Sequence, residues 1–116
     1  MARVLICEPH DDITALLELV IRRLDHEPVD YRRDDATTDI DIAILEPGEP
    51  VGLELAHSLR GRCVPMLFTS IYPPGSETLE LGPAAYLVKP FPLYALERAL
   101  QRALAVTAAR PADGSR

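Results

Sequence analysis

The sequence LGPAAYLVKPF, residues 81–91, contains a short apolar run that follows a glycine and a proline and ends at a lysine. The run at residues 86–88 is too short for a helix and is bounded by chain-breaking residues, which is the pattern of a buried strand. Four comparable runs precede it in the chain, at residues 4–7, 28–31, 40–45 and 66–69. The sequence therefore predicts five strands, with Lys89 directly after the last one.

Helical patterns separate most of these runs. The first helix has one apolar stripe, formed by Ile13, Leu16, Leu17, Val20, Ile21 and Leu24. Asp11 or Asp12 is expected to cap this helix, since a carboxylate at a helix start accepts unpaired amide protons. Shorter stripes predict helices near residues 53–59, 76–81 and 93–104. Strands that are apolar on both faces and alternate with helices indicate a parallel sheet covered on both sides.

The connection between the second and third strands departs from this alternation. Residues 32–39 read RRDDATTD and include no large hydrophobic residue. A helix that packs on a sheet needs an apolar stripe, and this segment has none. The second crossover helix is therefore predicted to be missing or shortened, with the polar second strand at an edge of the sheet.

The composition limits the classes of function. The chain has 116 residues, enough for one domain, and a net charge of −6 without a basic run, which argues against nucleic-acid binding by this chain alone. No apolar stretch approaches the length of a membrane span, and the two cysteines have no metal-type spacing. A cytoplasmic location is expected. Surface or capping roles are expected for the three histidines, His10, His26 and His57.

Polar residues stand at the carboxyl ends of the predicted strands. They are Glu8, Pro9, Glu46, Ser70 and Lys89. In open parallel sheets, ligands and chemistry lie at this edge, so these residues are predicted to form one pocket. Lys89 is the only lysine among 12 basic residues, which favours a specific need for an ammonium group there.

The stretch at residues 82–91, with its Gly-Pro-Ala-Ala start, aromatic Tyr86 and Lys-Pro-Phe end, resembles the receiver domain of bacterial response regulators. The resemblance covers nearly the whole chain, from about Arg3 to Val106. It implies a flavodoxin-like, doubly wound, five-stranded parallel sheet in the order 2-1-3-4-5. Residues 1–107 would form the receiver-like domain, and residues 108–116 a flexible tail or linker.

The resemblance also implies roles for individual residues. In receivers, an aspartate after the third strand accepts a phosphoryl group, two acidic residues after the first strand help to hold Mg²⁺, and a lysine and a hydroxyl contact the phosphoryl oxygens. Lys89 and Ser70 match the last two positions, and Tyr86 matches an aromatic residue whose exposure changes on activation. Glu46 stands at the phosphoacceptor position.

The acidic pair is also altered, because it reads Glu8-Pro9. The loop after Glu46 is about two residues shorter than the usual receiver pattern. Glutamate extends its carboxylate further than aspartate, and proline supplies no side-chain oxygen for Mg²⁺. Glu46 is expected instead to place a permanent negative charge close to Lys89.

These departures favour an atypical receiver domain that acts in phosphorelay signalling as a phosphorylation-independent interaction module. It would not be an enzyme and would need no cofactor or metal. Its partner would be a protein, such as a signalling kinase, an effector or an output domain, and a homodimer is a further expectation. The alternative is a working Mg²⁺-dependent phosphoryl-accepting switch. A lesser alternative is a flavodoxin-like ligand-binding domain.

Overall fold

The computed structural model describes residues 1–33 and 38–109 and contains an α/β sandwich built on one parallel sheet. In chain order the elements are β1 (Arg3–Cys7), α1 (Asp11–Arg23), β2 (Glu27–Asp30), β3 (Ile42–Leu45), α2 (Pro50–Gly61), β4 (Met66–Ser70), α3 (Ser76–Glu80), β5 (Ala85–Val88) and α4 (Leu93–Ala109). The strand order is β2-β1-β3-β4-β5, and every neighbouring pair is parallel. The predicted fold class and strand order are confirmed.

Side chains that alternate along the strands divide the core into two layers, because successive residues of a strand point to opposite faces. Val4, Ile6 and Ile44 pack against α1 and α4 on one face. Leu5, Leu45 and Phe68 pack with α2 on the other face. These strand residues have no exposed surface. The sheet therefore provides a rigid base for the groups at its carboxyl edge.

The two faces are covered unequally. Helices of 13 and 17 residues, α1 and α4, lie on the first face, whereas the second face has the 12-residue α2 and the five-residue α3. None of the residues of α3 is buried. The described part of the second crossover, residues 31–33 and 38–41, consists of turns and irregular chain without a helix. Residues 34–37 of the same crossover lie outside the described residues.

The ends of α1 and α4 can be compared with the sequence expectations. The N-cap residue of α1 is His10, which forms no side-chain capping bond, rather than Asp11 or Asp12. Asp12 nevertheless accepts one unpaired amide proton of the first turn, because its Oδ1 lies 2.9 Å from the backbone N–H of Ile13. Both acids still lie in the first turn, where negative charge favours the helix dipole. α4 continues to Ala109, and residues 110–116 of the predicted tail lie outside the described residues. No described helix is both long and apolar enough to cross a membrane.

Candidate functional site

The carboxyl edge of the sheet brings Glu8, Glu46 and Lys89 into direct contact. Each follows a strand: Glu8 follows β1, Glu46 follows β3 and Lys89 follows β5. The ammonium nitrogen of Lys89 lies 2.8 Å from Oε1 of Glu46 and 2.8 Å from Oε1 of Glu8. Lys89 therefore bridges two carboxylates that are only 1% and 6% exposed as residues. We refer to these three residues as the carboxylate–lysine cluster.

Glu46 uses both of its carboxylate oxygens within the protein. Oε1 accepts a hydrogen bond from Lys89, and Oε2 accepts one from the backbone N–H of Gly48 at 3.2 Å. The backbone carbonyl of Glu46 is equally enclosed, since a Cβ placed on Gly52 would lie 2.1 Å from its oxygen. The first turn of α2 thus packs directly on Glu46, and only glycine at position 52 permits this approach.

Glu8 is held by four groups in addition to the strand that carries it. Its Oε1 accepts a hydrogen bond from the hydroxyl of Thr69 at 3.4 Å, and its Oε2 accepts one from the backbone N–H of His10 at 3.2 Å. The Nδ1 atom of His10 lies 2.9 Å from the same Oε2, and Lys89 donates to it as well. The ring of His10 is largely exposed and forms the outer cover of this carboxylate. Sequence reasoning placed His10 at the surface or in a cap and missed its bond to Glu8.

The charge of Lys89 is stabilised by this arrangement. Burial by itself lowers the pKa of Lys89, because it removes water from the ammonium group. The hydrogen bonds and negative charges of Glu46 and Glu8 outweigh this effect and raise the pKa of Lys89 above its ordinary value. The cluster therefore contains a permanently charged lysine at physiological pH.

The side chains of Ser70 on β4 and Tyr86 on β5 bond to the loop that follows β4. The hydroxyl oxygen of Ser70 accepts a hydrogen bond from the backbone N–H of Tyr72 at 3.2 Å. The hydroxyl of Tyr86 donates to the backbone carbonyl of Tyr72 at 2.9 Å, and its ring packs edge-on against Phe68 with centroids 6.2 Å apart. Ser70 and Tyr86 together hold the loop that follows β4.

Pro9 is exposed, and an arginine occupies the space beside it. The guanidinium of Arg32 donates to the backbone carbonyl of Pro9 at 3.3 Å and to the hydroxyl of Thr14 at 3.2 Å. It also lies 2.8 Å from Asp11 and 3.6 Å from Asp30, both measured to Oδ1. Arg32 therefore joins the end of β2 to the loop between β1 and α1. Sequence reasoning did not identify this contact, because Arg32 lies in a polar segment without a motif.

Mg²⁺ is the cofactor that the fold type implies, and the residues present do not fit it. Mg²⁺ requires oxygen ligands in nearly octahedral geometry. In the cluster, the carboxylate oxygens already accept hydrogen bonds from Lys89, His10 and Gly48. Pro9 contributes no side-chain oxygen. Within the part of the chain that the structure describes, no group of three His, Cys, Asp or Glu residues is arranged to hold a metal ion.

The chain matches solved structures, whereas the comparisons with family models and curated proteins find no match. No protein-family model and no curated protein matches the chain. The chain is similar to the non-phosphorylated receiver domain of HemR from Leptospira biflexa, with a TM-score of 0.80, 22% identity, and coverage of 96% of this chain and 98% of that one.

Two further solved structures are similar to the chain over most of its length. A two-component response regulator from Clostridium difficile has a TM-score of 0.76 and 17% identity over 90% of this chain and 97% of that one. The chemotaxis protein CheY4 from Vibrio cholerae has a TM-score of 0.74 and 22% identity over 89% of this chain and 98% of that one. This chain therefore has the fold of response-regulator receiver domains.

Proposed function

We propose that this chain is a receiver domain of two-component signalling that regulates a protein partner without being phosphorylated. The observation that carries the proposal is the position of Lys89, whose ammonium group is held between the carboxylates of Glu8 and Glu46 at 2.8 Å from each. The chain would act by binding and would not be an enzyme. The likeness in fold supports the receiver part of the proposal, and the cluster supports the phosphorylation-independent part.

The geometry of Glu46 disfavours its use as a phosphoacceptor. An acceptor carboxylate needs a free oxygen in line with the donor, whereas both oxygens of Glu46 are hydrogen-bonded within the protein. The extra methylene of glutamate also displaces the carboxylate, and a displacement of about 1 Å can reduce the rate of a reaction roughly 100-fold. Phosphorylation would require Glu46 to leave Lys89 and Gly48 first.

The electrostatics of the cluster support one fixed state of this edge. The raised pKa of Lys89 keeps its ammonium group charged at physiological pH, between two buried carboxylate groups, and His10 lies over the outer oxygen of Glu8. We infer that this buried ion pair specifies one arrangement of the edge, a role that buried ionic groups have in some proteins. The hydrogen bond from Tyr86 to the loop after β4 adds a second fixed contact. The proposed module would therefore present the same surface to its partner at all times.

The proposed partner is a protein, either a signalling kinase, an effector or an output domain, and the proposed compartment is the cytoplasm. Cys7 and Cys63 are both free thiols, which is compatible with a reducing environment.

The experiment is incubation with acetyl phosphate and Mg²⁺, followed by intact mass spectrometry. The wild-type protein should gain no phosphoryl group, which would add about 80 Da. The Pro9→Asp/Glu46→Asp variant is the positive control, because it restores an acidic pair and an aspartate acceptor to the same scaffold. Phosphorylation of the wild type on Glu46 would overturn the proposal and establish the Mg²⁺-dependent switch instead.

A further inference from the structure

A cavity of about 450 Å³ lies between the ends of β1 and β2 and the first turn of α2. This volume falls within the range of about 300–1,000 Å³ that is usual for small-molecule sites. Glu8 lines the cavity, whereas Glu46 and Lys89 do not. The cavity therefore adjoins the carboxylate–lysine cluster without being part of it, and we call it the β1–β2–α2 cavity.

The position of the cavity follows from the topology of the sheet. After β1 the chain continues into α1 on one face, and after β3 it continues into α2 on the other face. In the order β2-β1-β3-β4-β5 this is the point where the connections change direction, and open parallel sheets commonly bind ligands there. The described part of the second crossover, residues 31–33 and 38–41, contains no helix that could cover the ends of β1 and β2.

The inner end of the cavity carries an unpartnered thiol. The most buried lining residues are Glu8 and Cys7, which are 1% and 8% exposed. Among the residues that the structure describes, none forms a hydrogen bond with the Cys7 thiol. Burial and the negative charges of Asp30 and Glu8 raise the pKa of this thiol, although Arg32 lowers it. Cys7 is therefore a neutral, weakly polar group suited to reversible contact rather than to nucleophilic attack.

The walls of the cavity present apolar surface to solvent. Val51 is 48% exposed, although it is a large hydrophobic side chain. Pro9 is exposed and Tyr31 is half-buried on the other sides of the same cavity. Covering such surface is favourable in proportion to its area, and an aromatic ring beside Tyr31 would gain more than area burial alone. The walls thus favour a ligand with an apolar or aromatic body.

The charges around the cavity favour a cation. Its lining includes the acids Glu8 and Glu49 and one basic residue, Arg32, whose guanidinium is already paired with Asp11 and Asp30. Glu49 is exposed, and its side chain forms neither a capping bond nor an ion pair with any described residue. The N-terminus of α2 contributes only about half a positive charge, which is less than the full charge of a carboxylate. The charge left without a partner at the opening is therefore negative.

We infer that the β1–β2–α2 cavity binds a small organic amine. The apolar or aromatic body of the amine would lie over Cys7 and against Tyr31 and Val51, and its ammonium group would pair with Glu49. The inference goes beyond the proposed function, because binding of an amine neither requires nor excludes phosphorylation of Glu46.

The test uses 2-phenylethylamine, which is a cation at neutral pH, with 2-phenylethanol and 3-phenylpropanoate as its neutral and anionic analogues. Each is titrated into ¹⁵N-labelled wild-type protein at low ionic strength, and amide chemical shifts report both affinity and location. The amine should bind with a Kd on the order of 1 mM, since so small a ligand makes few contacts. It should shift amide signals within residues 7–10, 31–32 and 49–53 and lose affinity as salt is added. The alcohol should bind about threefold more weakly, and the anion about tenfold more weakly.

Two substitutions separate the charge from the apolar wall. Glu49→Lys should weaken binding of the amine about tenfold and change the affinity of 2-phenylethanol by less than about twofold. Its matched control is Glu54→Lys, because Glu54 is an exposed acid of α2 outside the cavity lining, and it should change neither affinity by more than about twofold. Val51→Ala should weaken both probes alike, whereas Leu53→Ala, which alters an exposed side chain of α2 outside the lining, should not. A native-like amide spectrum verifies that each variant is folded.

Four results would each overturn the inference. These are absence of amine binding at about 10 mM, shifts that map outside the cavity, equal or tighter binding of 3-phenylpropanoate, and equal weakening by Glu49→Lys and Glu54→Lys. Self-association that Val51→Ala abolishes would also overturn it and reassign the cavity to contact between two copies of the chain. None of these outcomes measures phosphorylation of Glu46, so failure here is distinguishable from failure of the proposed function.

Discussion

Replacement of Lys89 by methionine tests whether Lys89 stabilises the protein by neutralising the buried carboxylates of Glu8 and Glu46. Methionine keeps much of the length and apolar stem of lysine but removes the charge and the donated hydrogen bonds. Glu8 and Glu46 would then be buried carboxylates without their cation, at 1% and 6% exposure. The remaining bonds to Glu8 and Glu46 come from His10, Thr69 and the backbone of Gly48.

The expected cost follows from the burial of the three groups. The side chains of Lys89, Glu46 and Glu8 are 8%, 8% and 1% exposed, so the ion pairs are well shielded from solvent. Removing one partner of a buried ion pair costs about 3–5 kcal/mol. For a domain of this size, that loss lowers Tm by roughly 10–20 °C. It is a large share of a total stability of about 5–15 kcal/mol.

The assay is urea denaturation at pH 7, followed by circular dichroism. Lys89→Met should lose about 3–5 kcal/mol of stability relative to the wild type, because it leaves two buried carboxylate groups without their cation. A neutral triple variant, Glu8→Gln/Glu46→Gln/Lys89→Met, should regain most of the loss, because it leaves no buried charge unpaired. The exposed cation control, Arg22→Met, should change stability by less than about 0.5 kcal/mol. If Lys89→Met costs no more than Arg22→Met, Lys89 does not neutralise the two buried carboxylates.

Three further predictions concern groups around the cluster. Gly52→Ala should destabilise the protein by about 1–3 kcal/mol in urea denaturation, since its Cβ would lie 2.1 Å from the carbonyl oxygen of Glu46. The control is Gly61→Ala, whose Cβ meets no atom within 4 Å and which should leave stability unchanged or raise it. The raised pKa of Lys89 means that its contribution is fully present below the unfolded-state pKa of about 10.4 and is lost as pH rises through the folded-state value. The stability difference between the wild type and the neutral triple variant should therefore stay constant from neutral pH to about pH 9 and change only above about pH 10.4; a change near neutral pH would contradict the assignment. Tyr86→Phe should cost at most about 1 kcal/mol and accelerate amide hydrogen exchange in the loop after β4, because it removes one exposed hydrogen bond; unchanged exchange would show that this bond does not hold the loop.

The sheet could be predicted from the sequence because its strands carry strong local signals. Apolar runs with turn residues at both ends marked all five strands within one or two residues. The polar segment after Tyr31 predicted a missing or shortened crossover helix, and its described residues, 31–33 and 38–41, contain no helix. The proximity of Glu46 and Lys89 could also be predicted from the sequence, since residues at the carboxyl ends of parallel strands lie at one edge of the sheet. These predictions depend on periodicity and topology, which local sequence encodes well.

The contacts made by loops could not be predicted in the same way. The bond between His10 and Glu8 depends on how the loop between β1 and α1 turns, and the reach of Arg32 to Pro9 spans 23 positions of sequence. The position of His10 as the N-cap residue of α1, in place of Asp11 or Asp12, has the same origin, because the turn of this loop determines where the helix begins. Such geometry arises from tertiary packing, for which a single sequence carries little signal.

The most direct measurement of the central claim exploits the fact that Lys89 is the only lysine of the chain. Labelling lysine with ¹⁵N at Nζ gives a protein with one labelled ammonium group, whose NMR signal can be followed alone. The account predicts a slowly exchanging ammonium signal that neither millimolar Mg²⁺ nor acetyl phosphate shifts, and that moves in the Glu46→Gln variant. A signal that shifts on addition of Mg²⁺ and acetyl phosphate would contradict the account, because Lys89 would then be free to exchange its carboxylate partners for a phosphoryl group.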